Sequence, residues 1–131
     1  MAAKIQTFLM FEGKAEEAMT FYTSLFPDSR IVDVKRYGPE GPGKEGSVVQ
    51  AVFQLAGREY MCIDSFVKHA FGFTPSTSLF VTCQSEDELK TLAGKLGEGG
   101  TLLMPLDKYP FAQKFTWLND RFGVSWQLIF P

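Results

Sequence analysis

The segment Gly57-Arg58-Glu59-Tyr60-Met61-Cys62-Ile63 lies over Gly123-Val124-Ser125-Trp126-Gln127-Leu128-Ile129, with glycine, an aromatic residue and isoleucine in register. A repeated order of elements limits the fold more than any other feature of the chain. In the first half, residues 5–11 read as a strand and residues 14–26 as an amphipathic helix stopped by Pro27, with Ala15, Ala18, Met19, Tyr22, Leu25 and Phe26 on one face. Residues 30–37, 47–55 and 60–63 follow as strands, the last two joined by a hairpin through Ala56-Gly57. The second half starts again with a strand over residues 77–81. A helix then opens at Ser85, whose oxygen and the Glu88 carboxylate form a capping box, and runs to Gly97 with Leu89, Leu92, Ala93 and Leu96 as its stripe. Strands over 101–104, 114–118 and 124–130 complete it. The chain is therefore read as one α+β domain, residues 1–131, built from two βαβββ modules at about 1–65 and 76–131 with a linker at 66–75. Each module can form a curved half of a mixed sheet, with its helix on the convex face and the concave face left for a ligand. Strict alternation along the last strand turns Trp126, Leu128 and Phe130 to the helix and Gln127 and Ile129 to the cavity.

Composition narrows the function. The 131 residues are 45% hydrophobic and 21% charged, enough for one core. No apolar stretch approaches the roughly 20 residues of a membrane span, and no signal-peptide core opens the chain, so a cytoplasmic protein without a membrane is expected. Thirteen basic and fifteen acidic residues leave a formal charge of -2 with the lysines scattered, which argues against nucleic acid. Cys62 and Cys83 sit in apolar runs without CxxC spacing and read as buried thiols. A single histidine, His69, excludes any His-rich metal site.

Several motifs are decoys. Gly41, Gly43 and Gly46 match GxGxxG, but a strand follows them where a phosphate cradle needs a helix, Pro39 and Pro42 remove amides, and Glu45 would repel a phosphate. The stretch reads as a flexible strand-to-strand loop. His69, among Phe66, Phe71 and Phe73, reads as a surface or packing residue. Asp64, closing a strand, is either a turn cap or a general base. Tyr109, Phe115, Trp117 and Trp126 divide between core and pocket lining.

Four stretches carry a family resemblance: Ala15-Glu16-Glu17-Ala18-Met19-Thr20-Phe21-Tyr22 running into Leu25-Phe26-Pro27; Phe73-Thr74-Pro75; Met104-Pro105-Leu106-Asp107-Lys108-Tyr109-Pro110-Phe111; and Asp120-Arg121-Phe122-Gly123-Val124-Ser125-Trp126-Gln127-Leu128. Through them the chain resembles the PhnB-like family, also named for a 3-demethylubiquinone-9 3-methyltransferase domain, within the vicinal-oxygen-chelate (glyoxalase/bleomycin resistance/dioxygenase) superfamily. The resemblance implies paired βαβββ modules, a homodimer and a ligand cavity inside the curved sheet. Metal-using members such as glyoxalase I place His or Glu on the first, fourth, fifth and eighth strands. Counting along this chain puts Thr7, Met61, Ser76 and Gln127 there, with Cys62 replacing Met61 if the register slips by one. None is a histidine or a carboxylate, so no metal and no cofactor is expected. A methyltransferase site would need a glycine-rich turn between a parallel strand and a helix, which the chain lacks. What remains is a binding site for a small, partly apolar molecule, formed by Thr7, Leu9, Phe11, Met61, Ser76, Ser78, Phe80 and Gln127. Sequestration, as in bleomycin-resistance proteins, is one function this implies. The alternative is an enzyme of the superfamily, a metal-dependent lyase or dioxygenase, or a methyltransferase as the family name says.

Overall fold

The computed structural model describes residues 3–131, and the chain divides between His69 and Ala70 into two compact units. The first unit holds β1 (Thr7–Phe11), α1 (Ala15–Thr23), β2 (Arg30–Arg36), β3 (Val48–Leu55) and β4 (Arg58–Asp64). The second holds β5 (Leu79–Thr82), α2 (Glu86–Gly97), β6 (Thr101–Tyr109), β7 (Ala112–Asn119) and β8 (Ser125–Phe130). Their sheets run β1-β4-β3-β2 and β5-β8-β7-β6. In each, the first strand lies parallel to the last, and the remaining neighbours are antiparallel. Two βαβββ modules of an α+β fold are thus in place, in the order the sequence predicts.

In the first unit α1 packs Ala15, Ala18, Met19 and Tyr22 onto the sheet, with the Tyr22 ring against Phe53 and Phe53 stacked on Tyr60. The helix is shorter than the expected 14–26. Its end tightens through i to i+3 bonds from the Ser24 and Leu25 amides, while the Thr23 and Ser24 hydroxyls donate back to Met19 and Phe21 carbonyls. Arg36 grips Glu16 with both guanidinium nitrogens at 2.6–2.7 Å, tying β2 to α1, and this bond holds the Glu16 carboxyl below its usual range. The Ala56-Gly57 hairpin forms as expected, with positive φ at both residues, as a two-residue turn requires.

In the second unit Leu89, Leu92 and Leu96 of α2 cover a layer that includes Thr116, Leu118, Trp126 and Leu128. Ser85 accepts the Glu88 amide at 3.1 Å, as the capping box predicts, but the Glu88 carboxylate reaches the amide of Gln84 instead of Ser85. β6 runs far beyond the expected 101–104 and passes through Pro105. It can do so because it is a sheet edge whose pairing with β7 is broken by three irregularities.

Two buried carboxylates close the units. Asp64 Oδ1 accepts the amides of Gly13 and Ala15 at 2.8 and 2.9 Å, and Oδ2 that of Val48 at 3.0 Å. It thereby caps α1, which has no side-chain cap of its own, from the end of β4. Asp120 Oδ1 accepts the Phe122 and Val124 amides, and Oδ2 the Trp126 indole N–H at 2.9 Å.

Asp64→Ala strands two buried N–H groups and the amide of exposed Gly13, and is expected to cost about 3 kcal/mol in urea unfolding, with Asp64→Asn costing clearly less. Gly100 offers a second check, because a Cβ there would run into the Asn119 carbonyl, whereas one at Gly94, within α2, meets nothing. Gly100→Ala should lower stability by about 2–3 kcal/mol, and Gly94→Ala should raise it by about 0.5–1 kcal/mol.

Candidate functional site

Alternation gives each sheet one helix-covered face and one open face. In the first unit, Thr7, Leu9 and Phe11 pair with Tyr60, Cys62 and Asp64, and these share the face of Phe53 beneath α1. Leu9, Phe11 and Cys62 are buried there. Phe8 and Met10 pair with Met61 and Ile63 on the opposite, open face. Of the expected site residues on β1 and β4, only Met61 therefore stands on the open face. Thr7, Leu9 and Phe11 belong to the other side, and the open-face neighbours of Met61 are Phe8 and Met10. Counting back from the helix misplaced β1 by one residue, and in a strand one residue exchanges the faces. The same register settles the choice between Met61 and Cys62 in favour of Met61.

In the second unit the alternation predicted for β8 holds. Trp126 and Leu128 are fully buried on the side of α2, and Gln127 and Ile129 lie on the open side. Phe80, 57% exposed, pairs with Gln127. Ser78 stands just ahead of β5 and bonds Ser125 Oγ at 2.7 Å and Gln127 Nε2 at 3.2 Å. Trp117, opposite Gln127 in the β7–β8 register, donates its indole N–H to Ser125 Oγ at 2.9 Å. Ser76 is not part of this group: it lies in the turn before β5, bonded to Thr74 Oγ1. Farther along, Phe115 is buried by the edges of Tyr109 and Phe111. The open face thus joins a polar group of Ser78, Ser125, Gln127 and Trp117 to an aromatic group, with exposed Phe80 beside them. Sequence reading missed Ser125 and Asn119, although their even spacing from Gln127 and Trp117 marks them for the same face.

A groove of about 570 Å³ lies elsewhere in the first unit, lined by Glu12, Gly13, residues 42–47 and Asp64, Ser65 and Phe66. Its depth misleads as to chemistry. Asp64 already accepts three amides, so it caps a helix and is not free to act as a base. Ser65 Oγ lies 3.0 Å from His69 Nε2, but its proton goes to the Val67 carbonyl at 2.8 Å and it accepts the Val67 amide, a local turn and not an activated nucleophile. The glycine loop on one rim is a β2–β3 connection closed by the Tyr37–Ser47 and Gly46–Tyr37 backbone bonds. Gly41 and Gly43 lie so close to the Tyr37 ring that a Cβ would collide with it, so the loop has packing that its composition did not suggest.

Both thiols are free and buried, and burial pushes Cys62 up to about 12, with the Asp64 charge adding to it, and Cys83 up to about 11. Neither is a thiolate near neutral pH. At pH 8 the folded protein should leave both unmodified by Ellman's reagent over minutes, and both should react once it is unfolded in urea.

The central open-face positions of β1, β4, β5 and β8 are Phe8, Met61, Phe80 and Gln127. A divalent ion needs several imidazole, thiolate or carboxylate donors, and these side chains do not fit one. Among the described residues no three His, Cys, Asp or Glu gather as a metal site. No helix is long and apolar enough to cross a membrane.

Residues 3–129 match the family model described as 3-demethylubiquinone-9 3-methyltransferase. No curated protein matches the chain. Among solved structures, the chain is 61% identical to a Bacillus cereus protein named "Putative 3-demethylubiquinone-9 3-methyltransferase, PhnB protein", covering 98% of this chain and 100% of that one with a TM-score of 0.96. Protein PA1353 of Pseudomonas aeruginosa is 25% identical over 98% of this chain and 97% of its own, with a TM-score of 0.83. The fosfomycin resistance protein FosX of Listeria monocytogenes, at 9% identity, shares the fold over 98% of this chain and 93% of its own with a TM-score of 0.69. With a matched model spanning nearly its whole length and a solved structure 61% identical over 98% of it, the chain belongs to the 3-demethylubiquinone-9 3-methyltransferase (PhnB-like) family.

Proposed function

We propose that the protein binds a small, partly apolar molecule on the open face of the second unit's sheet and does so without the metal of its superfamily. The donor set supports this reading: Phe8, Met61, Phe80 and Gln127, on the open faces of β1, β4, β5 and β8, offer no charged or imidazole ligand. FosX has been crystallised with Mn(II) and a dihydroxypropylphosphonic acid, but its likeness to this chain is one of fold, and fold does not carry chemistry. The family name points to methyl transfer. The glycine-rich loop at 38–46 joins antiparallel β2 and β3, however, and leads into no helix that could hold a nucleotide-like cofactor. The reading includes a cytoplasmic homodimer: the buried free cysteines suit a reducing compartment, and β1 and β5 stand at sheet edges that a second copy can cover.

Two tryptophans report on the two faces. In an NMR screen of small aromatic and aliphatic compounds, binders should move the Trp117 indole N–H and leave that of Trp126 in place. Gln127→Ala should weaken such binding by about 1–2 kcal/mol at nearly unchanged stability, while Trp126→Ala should cost about 3–5 kcal/mol in thermal or urea unfolding. A screen in which nothing moves Trp117, or a Gln127→Ala that proves the severely destabilised variant, contradicts the reading.

A further inference from the structure

We infer that the ligand of this open face presents hydrogen-bond donors and carries no negative charge, so that it is an apolar amine or alcohol and not a carboxylate or phosphonate. The inference rests on the binding reading above and goes beyond it by fixing the ligand's polarity.

The protons of the polar group lead to one place. The Trp117 indole gives its N–H to Ser125 Oγ, and Gln127 Nε2 gives one to Ser78 Oγ. The two hydroxyls lie 2.7 Å apart, and both reach the Pro75 carbonyl, at 3.3 and 3.4 Å. The indole and hydroxyl donors of this group are thereby consumed inside it, ending on a backbone carbonyl. Gln127 adds an amide that accepts through its carbonyl oxygen and keeps a second Nε2 proton to donate. Next to Ser125 in the β7–β8 register stands Asn119, whose Oδ1 is buried with no partner among the described residues. A buried acceptor left unpaired is costly, and a ligand N–H or O–H that meets it when the Asn119 side chain turns to the face removes that cost.

Charge and ring electrostatics point the same way. No lysine or arginine occupies the open-face positions of β5, β7 or β8, nor the β6 residues Thr101, Met104 and Asp107 that stand opposite them. The one formal charge among these positions is the Asp107 carboxylate, across from Phe115. Aromatic faces, negative at their centres, make up much of the remaining surface and favour a cation over an anion. An anion brought here would lose water and meet acceptors, a carboxylate and ring faces.

Three probes with one ring and different heads test this: 2-phenylethylamine, 2-phenylethanol and phenylacetate, titrated into the full chain while the Trp117 indole and the Asn119 and Gln127 side-chain amides are followed by NMR. The amine and the alcohol are expected to bind about tenfold or more tightly than phenylacetate. Gln127→Lys, with the Trp126 resonance confirming the fold, should reverse the order. If phenylacetate binds at these resonances as tightly as the other two or more so, the polarity inference is overturned while the binding reading stands. If none of the three moves Trp117 and no compound of the wider screen does, both fall. If other compounds move Trp117 but the preference follows carboxylate or phosphonate heads, only the polarity inference falls.

Discussion

The register between the outer parallel strand and the last strand of each unit decides what each side chain meets. Thr7 beside Tyr60, and Leu79 beside Trp126, fix the odd and even positions of both strands at once. Everything else follows from that choice. Tyr60 can stack on Phe53 under α1, and Trp126 can reach Asp120 under α2, only because those positions fall on the helix side. Slipping either outer strand by one residue would bring Phe8 or Phe80 under a helix and expose a residue that now completes a core. The two buried aspartates reinforce the arrangement from the strand ends, each gathering three N–H donors.

Local signals were legible where chemistry is local. The Ala56-Gly57 turn, the Ser85 cap and the alternation of Trp126 and Gln127 each depend on residues close in sequence, and each appears in the structure. Features set by distant partners were not. The face of β1 depends on its pairing with β4 some fifty residues away, which is why Thr7, Leu9 and Phe11 were expected on the wrong side of the sheet. Asp64 read as a turn cap or a general base, and the amides of Gly13, Ala15 and Val48 that converge on it decide for the cap. The strand expected over 101–104 runs on through Pro105, because β6 is a sheet edge and an edge can carry a proline. Asn119 could not be singled out from sequence, since an orphaned acceptor is a property of surroundings and not of residue type.

The fold and the chemistry of this protein are separable. The fold rests on a repeat of apolar alternation and two capping carboxylates, all of which lie beneath or beside the helices. The open faces are free of that duty. One of them carries Phe80 and Gln127, and the other Phe8 and Met61. Such side chains offer contact area and one amide, which suits the recognition of a small molecule more than the activation of one.

The central claim, that this superfamily fold works here without a bound metal, is tested most directly by elemental analysis of the intact protein. The protein is loaded with excess Zn, Ni, Mn or Fe(II), then dialysed against metal-free buffer. The account predicts far less than one equivalent per chain retained for every ion, and no shift in thermal unfolding on adding any of them. About one equivalent per chain of any of these ions, lost in a Gln127→Ala or Met61→Ala variant that remains folded, would contradict it.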